Sequence, residues 1–283
     1  AADGFGVRVS VSGDAMFIDR YTEYVGPGGP EAFLFQRDGD EWAFVANVED
    51  LITDPVYLFQ EGALCGNNLI VSGIATESSP TQDVYILRRG EQGWFYETRL
   101  PGFDAISDIA CDEDRFAVRF AGTTTVYARE SATWEVEGTL VTPTEGFTSV
   151  DASRLAIDDD VLVVGHPFDG SAARGINGNP VFNCDGNMGP VSNCAGGSGA
   201  AYVFKRNAVG TWQQSAYLKA SNAAPQASFG IAVDVDQGSV VVGAVGESSA
   251  VVGTDQVAPI YDCTAMPSGC RSGTGALYLF EQN

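Results

Sequence analysis

The sequence predicts an all-β fold, a β-propeller of about five blades built from four-stranded repeats. Three observations carry this expectation: a strand–turn–strand unit that recurs along the chain, a third strand that recurs after it, and a column of four tryptophans that opens a fourth strand. The repeats fall at roughly 5–54, 55–102, 103–146, 147–226 and 227–283, and together they make one propeller domain. A solenoid or a stacked sandwich is the rival architecture for the same short strands.

The first two strands of the unit are clearest at "FGIAVDVDQGSVVVGA". Phe229-Gly230 lead to apolar Val233 and Val235, a polar turn Asp236-Gln237-Gly238, and then Val240-Val241-Val242-Gly243. The same spacing returns at Phe5-Gly6, with Val9, Val11, the turn Ser12-Gly13-Asp14 and Met16-Phe17-Ile18. It returns again at Phe59, with Ala63, Cys65, the turn Gly66-Asn67-Asn68 and Leu69-Ile70-Val71. Two further copies keep the strands and turn without the Phe-Gly pair, at Ile109–Val118 and Leu155–Gly165. Alternation within these strands places apolar side chains on both faces, as a sheet sandwiched between neighbours requires.

The third strand reads "AFLF", "VYIL", "TTVY", "AYVF" and "LYLF" in the successive copies, ending at Phe35, Leu87, Tyr127, Phe204 and Phe280. The fourth strand starts at Trp42, Trp94, Trp134 and Trp212, each followed at one spacing by Val48, Leu100, Leu140 or Leu218. The fifth copy shows no fourth-strand signature. Its strand Leu277–Phe280 is therefore expected to be an open edge, available to a neighbouring subunit or to more of a longer native chain. Closure is expected to rest on packing between the first and last blades, around Val9, Val11, Val233 and Val235.

These residues resemble the FG-GAP repeats of integrin-α-type β-propellers in their bacterial extracellular form. Phe229-Gly230 matches the FG, Gly243-Ala244 the start of the GAP, and Gly165-His166-Pro167 a variant GAP. The resemblance implies an extracellular, secreted or cell-surface location and a role in adhesion or ligand binding. It also raises calcium, which in that family sits in an Asp-rich loop between the first two strands. The turns here are shorter than such a loop, and calcium takes six to eight oxygens. Calcium is therefore not the favoured expectation, and no other cofactor is expected. Asp158, Asp159 and Asp160 form the best candidate metal site, against the alternative of a solvated Asp-rich turn.

Charge narrows the partners. The chain of 283 residues carries 37 acidic against 15 basic side chains, a formal net charge of −22. Such a surface repels nucleic acid and anionic lipid, and no apolar run is long enough to span a bilayer. The start at Ala1-Ala2-Asp3 fits either a mature N-terminus left by cleavage or an arbitrary cut in a longer sequence. An extracellular protein or glycan is the expected partner class.

Catalytic signatures are weak. His166 is the single histidine; it stands in a GAP position, where a packed turn is expected. No phosphate loop or dinucleotide fingerprint is present. The tryptophans share one repeat column, so a structural role explains them without sugar stacking. A hydrolase or lyase with an acidic site at the propeller face is the alternative to a binding module, and a structural subunit of an extracellular assembly is a third.

Six cysteines complete the reading. Cys184 with Cys194, and Cys263 with Cys270, bracket short segments within two long insertions between second and third strands, and each pair reads as a loop-stapling disulfide in an oxidising compartment. A four-cysteine zinc site is the alternative. Cys65 and Cys111 occupy what looks like one column in adjacent blades; both a cross-blade disulfide and two buried thiols stay open. The insertions, Pro167–Gly199 and Val245–Gly273, are expected side by side on one face. Long loops on a rigid scaffold commonly carry function, so Phe182, Asp185, Tyr261 and Asp262 are the expected ligand contacts.

Overall fold

The computed structural model describes residues 4–21, 31–142, 153–180, 184, 194–249, 270–271 and 273–281. The fold class is all-β, a five-bladed β-propeller. The first blade is β1 (Gly4–Ser12), β2 (Ala15–Tyr21), β3 (Glu31–Asp38) and β4 (Glu41–Asn47), followed by a single turn of helix, α1 (Val48–Leu51). The second is β5 (Leu58–Cys65), β6 (Asn68–Ile74), β7 (Gln82–Gly90) and β8 (Gly93–Phe103). The third is β9 (Ile106–Asp112), β10 (Arg115–Phe120), β11 (Thr123–Glu130) and β12 (Thr133–Val141). The fourth is β13 (Arg154–Asp158), β14 (Val161–His166), β15 (Gly175–Ile176), β16 (Ala200–Arg206) and β17 (Trp212–Lys219). The fifth is β18 (Phe229–Asp236), β19 (Ser239–Ala244) and β20 (Ala276–Phe280). Each blade is an antiparallel sheet in chain order, except that β15 adds outside β17 in the fourth.

Two details depart from the sequence expectation. Val48 does not belong to a fourth strand: β4 ends at Asn47, and Val48 is buried from the helical turn instead. The insertion of the fourth blade is not all loop, because Gly175 and Ile176 pair with Lys219 and Leu218. Among the described residues the fifth blade has three strands, with β20 at its edge.

The chain divides into two compact units, residues 1–121 with 126–136, and residues 122–125 with 137–283. In the first unit, Phe17 and Leu34 from one face of the first blade meet Leu64, Leu69, Val71, Tyr85 and Leu87 of the second. Ile70, Val84 and Ile86, on the opposite face of the second blade, meet Phe116, Val118 and Trp134 of the third. In the second unit, Ala201 and Val203 of the fourth blade meet Phe229, Val235, Val240 and Val242 of the fifth. Every such junction buries one face of a blade against the other face of the next, so nearly all of each inner strand is apolar. This corrects the expectation for Val233 and Val235: they face the fourth blade, while Val9 and Val11 are 55% exposed.

A polar contact also recurs at two successive junctions. Trp134 donates its indole N–H to Glu97 at 3.1 Å, and Arg129 grips the same carboxylate through two nitrogens at 2.7 and 2.6 Å. One junction later Trp212 donates to Glu137 at 2.8 Å and Arg206 joins it at 2.7 Å. In both cases the acceptor lies three residues after the tryptophan of the preceding blade. Burial disfavours the Glu97 anion, but the hydrogen bonds from Arg129 and Trp134 and the charge of Arg129 outweigh it and hold the carboxyl below its ordinary range. These contacts give Trp134 and Trp212 a structural role.

The same position in the first blade is Val45, and Trp94 Nε1, nine-tenths buried, has no hydrogen-bond partner. Its column mate Arg89 instead reaches Asp14 at 2.6 Å. Val45 is 43% exposed, so replacing it sacrifices little apolar burial. Val45→Glu is expected to stabilise the chain by about 1 kcal/mol, because it supplies the missing acceptor to a buried donor. Thermal melts of Val45→Glu with and without Trp94→Phe check this. The gain should vanish in the Trp94→Phe background, and a gain that survives there would have another origin.

Candidate functional site

The cysteine pair nearest the turns shows how register decides a site. Cys65 and Cys111 are disulfide-bonded, with Cα atoms 5.8 Å apart. The two cysteines do not share a column; they differ by one residue in register. Cys65 pairs with Asn68 directly beside its turn, whereas Cys111 pairs with Phe116, one step farther back. A one-residue offset turns a strand side chain to the opposite face, so the two sulfurs point at each other across the junction. The true equivalents of Cys65 are Ser12, Asp112, Asp158 and Asp236. Ser12 accepts from Gly66 N at 2.8 Å, and Asp158 accepts from Gln237 N at 2.7 Å, each reaching the next blade's turn.

Asp158 is thus engaged in a turn-to-turn hydrogen bond. Asp160 lies 3.4 Å from Arg206, and Asp159 occupies the turn itself with φ of 50°. Among the described residues, no group of three or more His, Cys, Asp or Glu side chains is arranged to hold a metal ion. Phe182, Asp185, Tyr261, Asp262 and Cys263 lie outside the described residues. Cys184 and Cys194 are disulfide-bonded to each other, and Cys270 is also disulfide-bonded.

The necks of the two insertions are built alike, although their sequences share little. In the fourth blade Ser171 bridges Cys194, and in the fifth Ser249 bridges Cys270. Gly199 N donates to Asp169 O, and Gly275 N donates to Glu247 O, both at 2.9 Å. Ser198 Oγ lies 3.2 and 2.9 Å from the carbonyls of Asp169 and Ser171. Thr274 Oγ1 lies 3.1 and 3.0 Å from those of Glu247 and Ser249. Each neck also has a carboxylate that accepts the backbone N–H two residues on, Asp169 from Ser171 and Glu247 from Ser249.

Each carboxylate then receives a different buried donor. Asp169 is 3.0 Å from Lys219 Nζ, and the Tyr217 and Tyr202 hydroxyls reach it at 3.1 and 3.3 Å. Glu247 takes the amide of Asn222 at 3.0 Å, and Tyr278 donates to Asn222 Oδ1 at 2.6 Å. Burial pushes the Lys219 ammonium down from its ordinary value, and Asp169 pulls it back. Burial, then the Glu247 charge, pushes Tyr278 up to about 12. Lys219 Nζ also lies 2.7 Å from Ser198 Oγ. A serine beside a lysine is a pairing that nucleophilic catalysis uses. Here both are fully buried and the serine hydroxyl is directed at main-chain carbonyls, so the group is a lock.

The necks are neighbours. The segment between them, residues 220–229, is held on one side by Gly196, Gly197 and Ser198, whose carbonyls accept from Gln226, Ser228 and Phe229. On the other side Gly246 N donates to Ala227 O at 3.0 Å. His166, 5% exposed, sits at the end of β14 opposite Ala200.

Three glycines explain why the blades meet so tightly here. A Cβ on Gly165 would stand 2.1 Å from Gly230 O, one on Gly230 2.2 Å from Ala200 O, and one on Gly199 2.0 Å from Phe229 O. Gly230 and Gly199 also have φ of 93° and 80°. The glycine after Phe229 and the glycine before His166 are therefore two halves of one contact between adjacent backbones. The family model described as FG-GAP repeat matches residues 212–257. The chain carries an FG-GAP repeat. The matched stretch holds β17, the locked segment, β18 and β19, so this FG-GAP repeat spans the junction of two blades.

No curated protein matches the chain. Among solved structures the chain is similar to AofleA from Arthrobotrys oligospora, at 11% identity and a TM-score of 0.41, over 75% of this chain and 68% of that one.

The neck carboxylates and their donors were missed in the sequence. Their signal was present as an unaligned pair, "GHPFDGS" with "GAVGESS" and "GSGAAY" with "GTGALY". Lys219 is moreover one of two lysines in the chain.

Proposed function

We infer that the chain is an extracellular binding module whose ligand face is formed by the insertions of the fourth and fifth blades. The observation that carries this reading is the pair of neighbouring necks, each closed by a disulfide-bonded cysteine, a buried carboxylate and a hydroxyl. A loop needs no such double fastening merely to connect two strands; a fixed neck presents the rest of the loop in one place, which lowers the ordering cost of binding. Disulfides fit an oxidising compartment. Among the described residues no helix is long and apolar enough to cross a membrane. Phe182, Asp185, Tyr261 and Asp262 are the proposed contacts, for an extracellular protein or a glycan. Glycan and extracellular-protein arrays probed with the chain, with and without chelator, test the reading. Reproducible hits support it, and an absence of any hit in both conditions counts against it.

Calcium is proposed to play no structural part. A thermal melt with and without EDTA should differ by no more than a degree or two, since 1 kcal/mol corresponds to a few degrees at this size. A large fall on chelation would mean that Asp158, Asp159 and Asp160, or other acidic residues, hold an ion.

A further inference from the structure

The segment that joins the fourth and fifth blades is shared by both necks. Lys219, at the end of β17, reaches Asp169 and Ser198 of the fourth-blade neck. Three residues on, Asn222 donates to Glu247 of the fifth-blade neck at 3.0 Å. Farther along, the sharing falls on three successive residues. Gln226 N donates to Gly196 O at 2.9 Å, and Ser228 N to Gly197 O at 3.0 Å, both in the fourth-blade neck. Between them Ala227 O accepts from Gly246 N at 3.0 Å, in the fifth-blade neck. Residues 226–228 therefore form a strap whose main chain is gripped alternately from two sides.

The strap is strained. Gln226 and Ser228 hold φ of 60° and 54°. This left-handed region is disfavoured for a residue with a Cβ, and neither glutamine nor serine visits it routinely. The N–H groups of both residues are held by one neck, and the carbonyl between them by the other. Close approach leaves no slack on either side. A Cβ on Gly246 would stand 2.0 Å from Gln226 O, and one on Gly197 would stand 3.6 Å from Gln226 Cα. Strain of this kind persists only where the surroundings over-determine the backbone. Loosening either neck removes part of that determination.

We propose that the strap couples the two insertions: when one neck opens, residues 226–228 relax and release the other. The device has two states, a strained strap with both necks closed and a relaxed strap with both loosened. Both necks bias the same equilibrium, so the coupling is reciprocal. A ligand that orders one insertion therefore also firms the other, a step that rests on the insertions being the ligand face.

Hydrogen exchange, read amide by amide by NMR on the full chain, tests the coupling without a ligand. Thr274→Val removes the hydroxyl that closes the fifth-blade neck, and Ser198→Ala removes the one that closes the fourth. Thr274→Val should speed exchange at Gln226, Ser228 and Gly199 by about fivefold or more, the low end of typical coupling between sites. Ser198→Ala should do the same at Gly246 and Gly275. The amides of the β13–β14 pair report global opening and should keep their wild-type rates. With Gln226→Gly and Ser228→Gly added, the strap carries no strain, and both cross effects should disappear. Faster exchange confined to the altered neck overturns the proposal, and so does a rise shared equally by β13 and β14. Cross effects that survive the two glycines overturn it as well, because strain would not be their source. A failure to find a ligand leaves this exchange pattern standing, so the coupling and the ligand face fail separately.

Discussion

Gly230→Ala is expected to unfold the chain or to cost more than about 4 kcal/mol, the range reserved for a substitution with no room and no accessible backbone conformation. The added Cβ would meet Ala200 O at 2.2 Å and His166 N at 2.8 Å, main-chain atoms that cannot rotate away. Gly6→Ala is the internal control. It places the same residue at the same repeat position with similar φ, in open space. Its cost should be the backbone strain alone, about 1–2 kcal/mol. Urea denaturation of both variants measures the difference. Equal losses would mean that the glycine serves its own backbone conformation and not the approach of two blades.

Asp169→Ala is the second large effect expected. It leaves the Lys219 ammonium fully buried with Ser198 Oγ as its remaining partner among those named, and strips an acceptor from Ser171 N, Tyr202 and Tyr217. Removing one partner of a buried ion pair costs about 3–5 kcal/mol, because the survivor keeps its desolvation penalty without its compensation. Asp169→Ala combined with Lys219→Met should recover most of that loss, since no charge is then stranded. Denaturant melts of the single and double variants check both statements. A double variant as unstable as the single one would show that the hydroxyl and backbone contacts, not the charge, hold the neck.

The fold was legible because a propeller repeats its constraints. Periodic Val, Ile and Leu, turn residues at one spacing and the tryptophan column each recur several times, so a weak local signal becomes a strong one. Register was less legible. Cys65 and Cys111 look equivalent until their strand partners, Asn68 and Phe116, show that they differ by one residue. The closing contacts were mislaid for a related reason. Val233 and Val235 were assigned to the wrong neighbour because alternation tells which residues share a face, not which blade that face meets. The neck locks escaped notice because their members sit 50 residues apart in one case, Asp169 with Lys219, and arrive from different elements. In the second lock the donor is Asn222, from the segment before the fifth blade instead of a fourth strand, so neither the residue nor the element that carries it repeats.

The two locked necks are proposed to carry the ligand face. Trimming the insertions beyond the locks tests this most directly. Residues 179–193 and 251–269 would each be replaced by a short Gly-Ser turn, with Cys194→Ser and Cys270→Ser, leaving Asp169, Ser171, Ser198, Glu247, Ser249 and Thr274 in place. Array hits obtained with the wild-type chain would then be measured again by surface plasmon resonance, alongside a thermal melt. Binding should be lost while the trimmed chain still melts cooperatively. Binding that persists at wild-type affinity in the trimmed chain would contradict it.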